Sequence, residues 1–403
     1  MSPRAIQKSL ACCLSTVLLP AALSRASICT NTSTGRVPIN DLGAGLYLGQ
    51  FQGGLYPGGA NAPPAAHDAE GLARALAVEP LSAAGNPDPN GRYALLSIGM
   101  SNTTQEFCSK GSQEPCDSWT FMGQAAASPQ VNHTTLAIVN GARGGQAAPL
   151  WTSPTSTNYN IVQTKLAEKG LTEAQVQIIW IKQARPTPTV SLPDPAADAF
   201  ALEADLGDIV RAAKVRYPNL KIVFFSSRIY AGYASTPLNP EPFAYETAFA
   251  VKWLIEAQID QMAGGPIDPI AGDLNFNTVA PWLAWGPYLW ADGLTPRSDG
   301  LIWECVDMES DGTHPATSAE TKVGTLLLNE MLTSAYSAPW FAAPCPPGDP
   351  NGDGLLDGRD IHVFVRVLLG LDTNPNHVTG SDLNCDGEVG AVDLTLFVNA
   401  LLA

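Results

Sequence analysis

The strongest constraint on this chain is a duplication near its C-terminus. Asp349-Pro350-Asn351-Gly352-Asp353-Gly354-Leu355-Leu356-Asp357-Gly358-Arg359-Asp360 is followed, 33 residues on, by Asp382-Leu383-Asn384-Cys385-Asp386-Gly387-Glu388-Val389-Gly390-Ala391-Val392-Asp393. Each copy carries oxygen-bearing side chains at loop positions 1, 3, 5 and 12, with glycine at 6. Hard oxygens at this spacing wrap a large cation, position 7 adds a backbone carbonyl, and glycine allows the sharp turn. The expected calcium ligands are Asp349, Asn351, Asp353, Leu355, Asp357 and Asp360 in one loop. In the other they are Asp382, Asn384, Asp386, Glu388 and Asp393, with water standing in at Gly390. Two calcium ions are expected.

Each loop leads into an amphipathic stretch. Ile361, Phe364, Val365, Leu368 and Leu369 form one stripe; Leu394, Phe397, Val398 and Leu401 form the other. A module of about 55 residues has little core of its own, so the ions would supply much of its folding energy. Residues 349–403 resemble a type I dockerin. The resemblance implies a small all-α domain, two calcium loops in pseudo-symmetric packing, and attachment to a cohesin. Loop positions 10 and 11, often Ser-Thr in cellulosomal dockerins, are Gly358-Arg359 and Ala391-Val392 here. A different cell-surface partner therefore stays open.

Upstream, Pro339, Pro344, Pro346 and Pro347 predict a stiff spacer over 339–348, leaving a large domain over 28–338. The first 27 residues read as a signal peptide: Arg4 and Lys8, an apolar Leu10–Leu23 run, then Ser24, Ala26 and Ser27. Secretion or export to the cell envelope of a bacterium is expected. No later stretch approaches 18 uninterrupted apolar residues, so no transmembrane anchor is expected. The formal charge of −16 argues against nucleic acid or an anionic membrane as the main partner. Cys12 and Cys13 would leave with the signal, and six cysteines remain. An even number in an exported chain favours disulfides. Cys108 and Cys116 are close enough to staple one loop, and the other pairings stay open. No cysteine pair has zinc-finger spacing.

Within the large domain, Gly-, Pro- and Ala-rich sequence over 31–91 reads as a covering segment with one helix at Asp68–Val78. Strands at Ala94–Ile98, Leu136–Val139, Val176–Ile181 and Lys221–Phe225 then alternate with helices. These fall at Asn158–Lys169, Ala196–Tyr217, Glu246–Gln261 and Ser318–Leu332. Such alternation predicts βαβ units and a parallel sheet. Between Pro266 and Asp311 the pattern dissolves into a Trp-rich stretch (Trp282, Trp285, Trp290, Trp303), read either as loop packing or as a cleft wall.

Two stretches carry candidate chemistry. The Tyr93–Ile98 run ends in Gly99-Met100-Ser101-Asn102, which places Ser101 at the carboxyl end of a strand, where open α/β sheets gather ligands. Its alternative role is an N-cap. Near the end, Asp311-Gly312-Thr313-His314-Pro315 sets a carboxylate three residues before an imidazole, a spacing that lets Asp311 hold the ring while His314 takes a serine's proton. Between them lie the Asn140-Gly141-Ala142-Arg143-Gly144-Gly145 turn and Gln183, after Trp180-Ile181-Lys182.

In that order the four blocks resemble the SGNH (GDSL-like) hydrolase family over residues 93–333. The resemblance implies a flavodoxin-like three-layer α/β/α fold with a parallel sheet. It implies Ser101 as nucleophile, His314 as base and Asp311 as orienter. The oxyanion hole would use Ser101, Gly144 and the amide of Gln183. The first block reads Gly-Met-Ser in place of Gly-Asp-Ser, and Gln183 stands where the family has asparagine. Gly144-Gly145 followed by Trp151, with Trp180 near Gln183, is similar to the carbohydrate acetyl-esterase branch. The expected function is hydrolysis of esters, O-acetyl groups on a carbohydrate, with no catalytic cofactor. The alternative is an inactive surface or structural protein on the same fold. Arg143, Arg228, Tyr230 and Glu106 would line a cleft or simply pack. The acidic run Glu304, Asp307, Glu309 and Asp311 also admits a metal site or a glycosidase carboxylate pair.

Overall fold

A computed structural model describes residues 26–109, 114–343, 348–383 and 387–402. Most of the expected signal peptide, the spacer residues 344–347, Cys345, Cys385, and the expected ligands Asn384 and Asp386 lie outside them.

Five strands form one sheet: β1 (Tyr93–Gly99), β2 (Leu136–Val139), β3 (Val176–Lys182), β4 (Ile222–Phe225) and β5 (Trp282–Trp285). Their order is β2-β1-β3-β4-β5, and every neighbouring pair is parallel. All residues of β1 and β3 are buried. That explains why both read as continuous apolar runs with no alternation: the sheet is covered on both faces.

The helices are α1 (Ala65–Leu76), α2 (Ser101–Phe107), α3 (Phe121–Ala127), α4 (Thr157–Glu168), α5 (Asp198–Arg216), α6 (Phe243–Met262) and α7 (Thr317–Thr333). Helices α2 and α3 pack on α7, whereas α5 packs on α6. Right-handed crossovers put these two groups on opposite faces when the strand order turns back beside the first strand. The result is the flavodoxin-like three-layer arrangement. Helix α1, from the covering segment, lies against β5 and β4.

Two expectations change here. The Trp-rich stretch supplies β5, because Trp282 to Trp285 fill a short buried edge strand rather than a loop. Trp282, Trp290 and Trp303 are wholly buried, and their indole N–H groups donate to His67 O, Glu241 Oε1 and Leu289 O. They pack the fold. The spacer expected over 339–348 also overlaps folded structure at its start. A helical turn at Ala338–Phe341 buries Trp340 and Phe341, and Tyr93 Oη donates to Trp340 O at 2.6 Å.

Among the described residues there are two disulfides, Cys108–Cys116 and Cys29–Cys305, the latter joining residues 276 apart in sequence. Among the described residues no helix is long and apolar enough to cross a membrane.

In the C-terminal module the helices are α8 (Ile361–Leu368), α9 (Pro375–Ser381) and α10 (Ala391–Leu402). Phe364 and Phe397 hold equivalent places in the two repeats and stack with ring centroids 4.2 Å apart. They are buried, while Ile361, Val365, Leu369, Leu394 and Val398 stay exposed. So small a unit covers only the centre of its apolar stripes.

Candidate active site

Ser101 sits where β1 gives way to α2. It is the first residue of that helix, with Met100 as the N-cap in extended conformation. Glycine is needed at 99 because a Cβ there would run into the Thr103 side chain, whose Oγ1 donates to Lys182 O at 2.7 Å. That bond ties α2 to the end of β3. Being at N1, Ser101 does not cap the helix, and its hydroxyl is turned towards His314.

Ser101 Oγ lies 2.9 Å from His314 Nε2, and His314 Nδ1 lies 2.6 Å from Asp311 Oδ2. The other Asp311 oxygen accepts the backbone N–H groups of Thr313 (2.9 Å) and His314 (3.0 Å). Burial pushes the Asp311 carboxyl up, but the N–H and ring of His314 and the N–H of Thr313 outweigh it, so it sits below its usual value. The turn is pinned from three directions. Ser235 N donates to Asp311 O at 3.0 Å, Asn102 Nδ2 donates to Thr313 O at 2.9 Å, and Met308 pairs with Pro315. Gly312, at φ +66°, rests on the Tyr233 carbonyl, leaving no room for a Cβ.

The Asn140–Gly145 turn comes beside Ser101. Arg143 N donates to Gly99 O at 3.1 Å, and a Cβ on Gly144 would lie 3.9 Å from the Ser101 Cβ. Gln183 is buried at the end of β3, with Nε2 donating to Gln146 O at 3.2 Å. It does not line the cavity at Ser101.

That cavity, about 240 Å³, is bounded by Ser101 and His314 together with Met100, Ala147, Arg228, Leu238 and Asn239. A second depression of about 350 Å³ shares Ser101 and His314 and is walled by Thr104, Gln105, Gly144 and Glu309. A larger hollow, about 580 Å³, lies near Met122 and His133, but the Ser–His–Asp chain opens into the smaller ones.

The remaining candidates separate clearly. Glu106, on α2, and Lys182, at the end of β3, form an ion pair with both side chains fully buried. Burial lowers the Lys182 ammonium to about 8 against the pull of Glu106. The signal for Lys182 was a lone cation inside an apolar strand. Tyr230 packs and donates to Asn31 O, Arg143 is exposed, and Arg228 lines the cavity. In the acidic run, Asp307 is buried against Lys322 and caps its own turn at Glu304, a structural role. Pattern reading passed over Asn102, Leu238 and Asn239, which carry no motif.

In the C-terminal loops the two copies match at positions 1, 6, 9 and 12, which are described in both. The position-6 glycines, Gly354 and Gly387, have φ of +85° and +88°. Asp349 Oδ2 accepts from Gly354 N at 2.6 Å, and Asp382 Oδ2 from Gly387 N at 2.9 Å. Asp360 Oδ2 accepts from Asp357 N and Asp393 Oδ2 from Gly390 N, both at 2.8 Å. Asp360 and Asp393 are buried. Among the described residues no three acidic, His or Cys side chains converge as a ready cage. Asp353 and Asp357 instead meet Arg359. The donor set is nonetheless all hard oxygen, with positions 1, 6, 9 and 12 held alike in both loops, which fits calcium.

The large domain is similar to several solved structures. An extracellular lipase from Streptomyces rimosus is 14% identical, with 59% of this chain and 98% of that chain covered, at TM-score 0.31. A carbohydrate esterase family 2 enzyme with a carbohydrate binding domain, from Corynascus thermopiles, is 12% identical, with 62% and 68% covered, at TM-score 0.34. At these TM-scores the likeness carries no weight for activity, and the fold rests on the sheet order above. No curated protein matches the chain. Residues 347–402 match the family model for the Dockerin type I domain, and the C-terminal module is accordingly dockerin-like.

Proposed function

We propose that the protein is an exported serine esterase, tethered through its C-terminal module, that hydrolyses short acyl esters, O-acetyl groups on a carbohydrate in particular. The continuous Ser101–His314–Asp311 hydrogen-bond chain at the mouth of a small cavity carries this reading. Ser101 Oγ attacks the ester carbonyl carbon while its proton passes to His314 Nε2. Asp311 keeps the Nδ1 proton in place and stabilises the imidazolium. The oxyanion forms against the N–H groups of Ser101 and Gly144. Ser101 lies in the first turn of α2, where N–H groups have no intrahelical acceptor. Each such donor lowers the barrier by about 3 kcal/mol. Gln183 would add its amide only by turning from Gln146. His314 returns the proton to the leaving alcohol, the C–O bond breaks, and water activated by His314 releases the acid. A cavity of 240 Å³ suits a short acyl group better than a long chain.

The dockerin-like module would bind two calcium ions through the eleven ligands expected above and attach the enzyme to a cohesin or another cell-surface partner. Calcium supplies charge neutralisation for the clustered carboxylates. Two disulfides agree with an oxidising compartment, and residues 1–27 would provide the export signal.

The test uses a fluorophosphonate probe and an aryl acetate on the wild type and on Ser101→Ala. Labelling and turnover in the wild type, and neither in the variant, are expected. Turnover or labelling that persists in the variant would displace Ser101. Their absence from the wild type would favour an inactive binding protein.

A further inference from the structure

Three residues past β4, at the carboxyl end of the sheet, Arg228 stands in the wall of the Ser101 cavity. It is 1% exposed, and among the described residues its Nε has no hydrogen-bond partner. The acids that feel its charge are Glu106, Glu241 and Asp311. Each is already engaged. Lys182 holds Glu106; the Trp290 indole and the N–H groups of Ala231 and Tyr245 hold Glu241; His314 holds Asp311. A buried cation that, among the described residues, has no ion-pair partner of its own is expensive. One kept at the edge of a reaction cavity suggests that the missing anion arrives with the substrate. The guanidinium's planar fork matches a carboxylate in a way no other side chain does.

We propose that the esters this enzyme prefers carry a carboxylate, which Arg228 binds while Ser101 attacks. This rests on the esterase reading and narrows its substrate class. The carboxylate has two possible homes. It is either part of the acyl group, as in a half-ester of a dicarboxylic acid, or on the alcohol, as in an O-acylated uronic acid. The chain's charge of −16 does not forbid this, because surface acids beyond a Debye length of about 8 Å are screened while Arg228 meets the ligand directly. Of the other walls, Met100, Ala147, Pro186 and Leu238 are apolar and Asn102, Asn239 and Thr313 are polar but uncharged, so no carboxylate lines this cavity to compete with the anion.

The experiment compares kcat/KM within two matched pairs. One is an aryl hemisuccinate against the aryl butyrate of similar size. The other is an O-acetylated methyl glucuronoside against the O-acetylated methyl glucoside. In the wild type one acidic member should exceed its neutral counterpart at least tenfold, and which pair responds locates the carboxylate. In Arg228→Met that ratio should fall to about one. A wild-type ratio near one in both pairs would overturn the proposal, and so would a ratio that survives the substitution. Were Arg228 only an oxyanion stabiliser, both members would slow together and the ratio would stay, which also counts against it. If Arg228→Met does not fold, competitive inhibition of the wild type decides. Succinate or glucuronate should inhibit at least tenfold more strongly than succinamide or glucose, and equal inhibition would reject carboxylate binding. Failure of the esterase reading looks different: no turnover of any ester and no labelling of Ser101.

Discussion

Asp311 concentrates several demands in one side chain. One oxygen holds the imidazole at 2.6 Å, and the other organises the backbone of the same turn through Thr313 and His314. Asp311→Asn retains the size and an acceptor, but it places an amide where a carboxylate stabilised the imidazolium. The expected outcome is a fall in kcat of roughly three to four orders of magnitude on an aryl acetate, with the fold's melting point little changed. A variant that keeps more than about a tenth of wild-type activity would remove Asp311 from the mechanism. The sequence made this residue legible because Asp and His sit three apart in one turn, so local geometry alone brings them together. Ser101 was legible through its place at the end of an apolar run. Asn102 and Asn239 were not, because Asn102 lies on α2 and Asn239 on the β4–α6 loop, and only the tertiary fold brings them to one cavity; Arg228, on that same loop, was legible only as a residue that lines a cleft or packs. Gln183 shows the limit of carrying a role over by position. It occupies the expected place in the chain, yet its amide satisfies the Gln146 carbonyl.

The elements that matter most to the site are its turns. At Gly312 an alanine would meet the Tyr233 carbonyl and also have to adopt φ +66°. Gly312→Ala should cost about 1–3 kcal/mol of stability in calorimetry and, by displacing His314 from Ser101, lower kcat more than it raises KM. An unchanged kcat would mean that the turn tolerates the shift. Strands β1 to β4 could be read directly from apolar runs of strand length, but β5 could not. Its Trp-Leu-Ala-Trp core is short and sits among prolines and glycines, so nothing local separates a buried edge strand from packed loop. The expected calcium loops were readable for the opposite reason. Their spacing repeats, and the structure gives both copies the same position-6 and position-12 hydrogen bonds. Removal of calcium should leave those carboxylates repelling across small loops and release α8 and α10 from their anchors. Limited proteolysis of the full chain in a chelator should therefore cut beyond residue 348 while sparing the large domain. Added calcium should protect the module, and identical digests in both conditions would contradict the calcium assignment.

Across the whole molecule, the buried carboxyls set how stability responds to pH. Burial, reinforced by Asp268 and Glu256, lifts Glu203 to about 8. Burial lifts Glu246 to about 7 despite the N–H of Leu192, and Glu320 to about 7 despite the Trp119 indole. All three side chains lie on helices of the large domain, and all three residues are buried. In the unfolded chain they would ionise near pH 4.3. Between that value and about 8 the folded state therefore holds more protons than the unfolded one, so stability falls as pH rises. The favourable contribution is complete below the unfolded value and is gone above the folded ones. Lys182, lowered to about 8, has the opposite sign but acts only above that pH. Asp311, being depressed, loses its contribution only below the usual carboxylate range. In calorimetry at constant excess calcium, the large domain should melt higher at pH 5.5 than at pH 8. The difference should be roughly 3–6 °C if the three groups together contribute about 2 kcal/mol. Glu203→Gln removes one titrating site while keeping its shape, and should flatten that slope. A melting point that rises from pH 5.5 to 8, or a slope unaffected by Glu203→Gln, would show that these carboxyls ionise freely inside the fold.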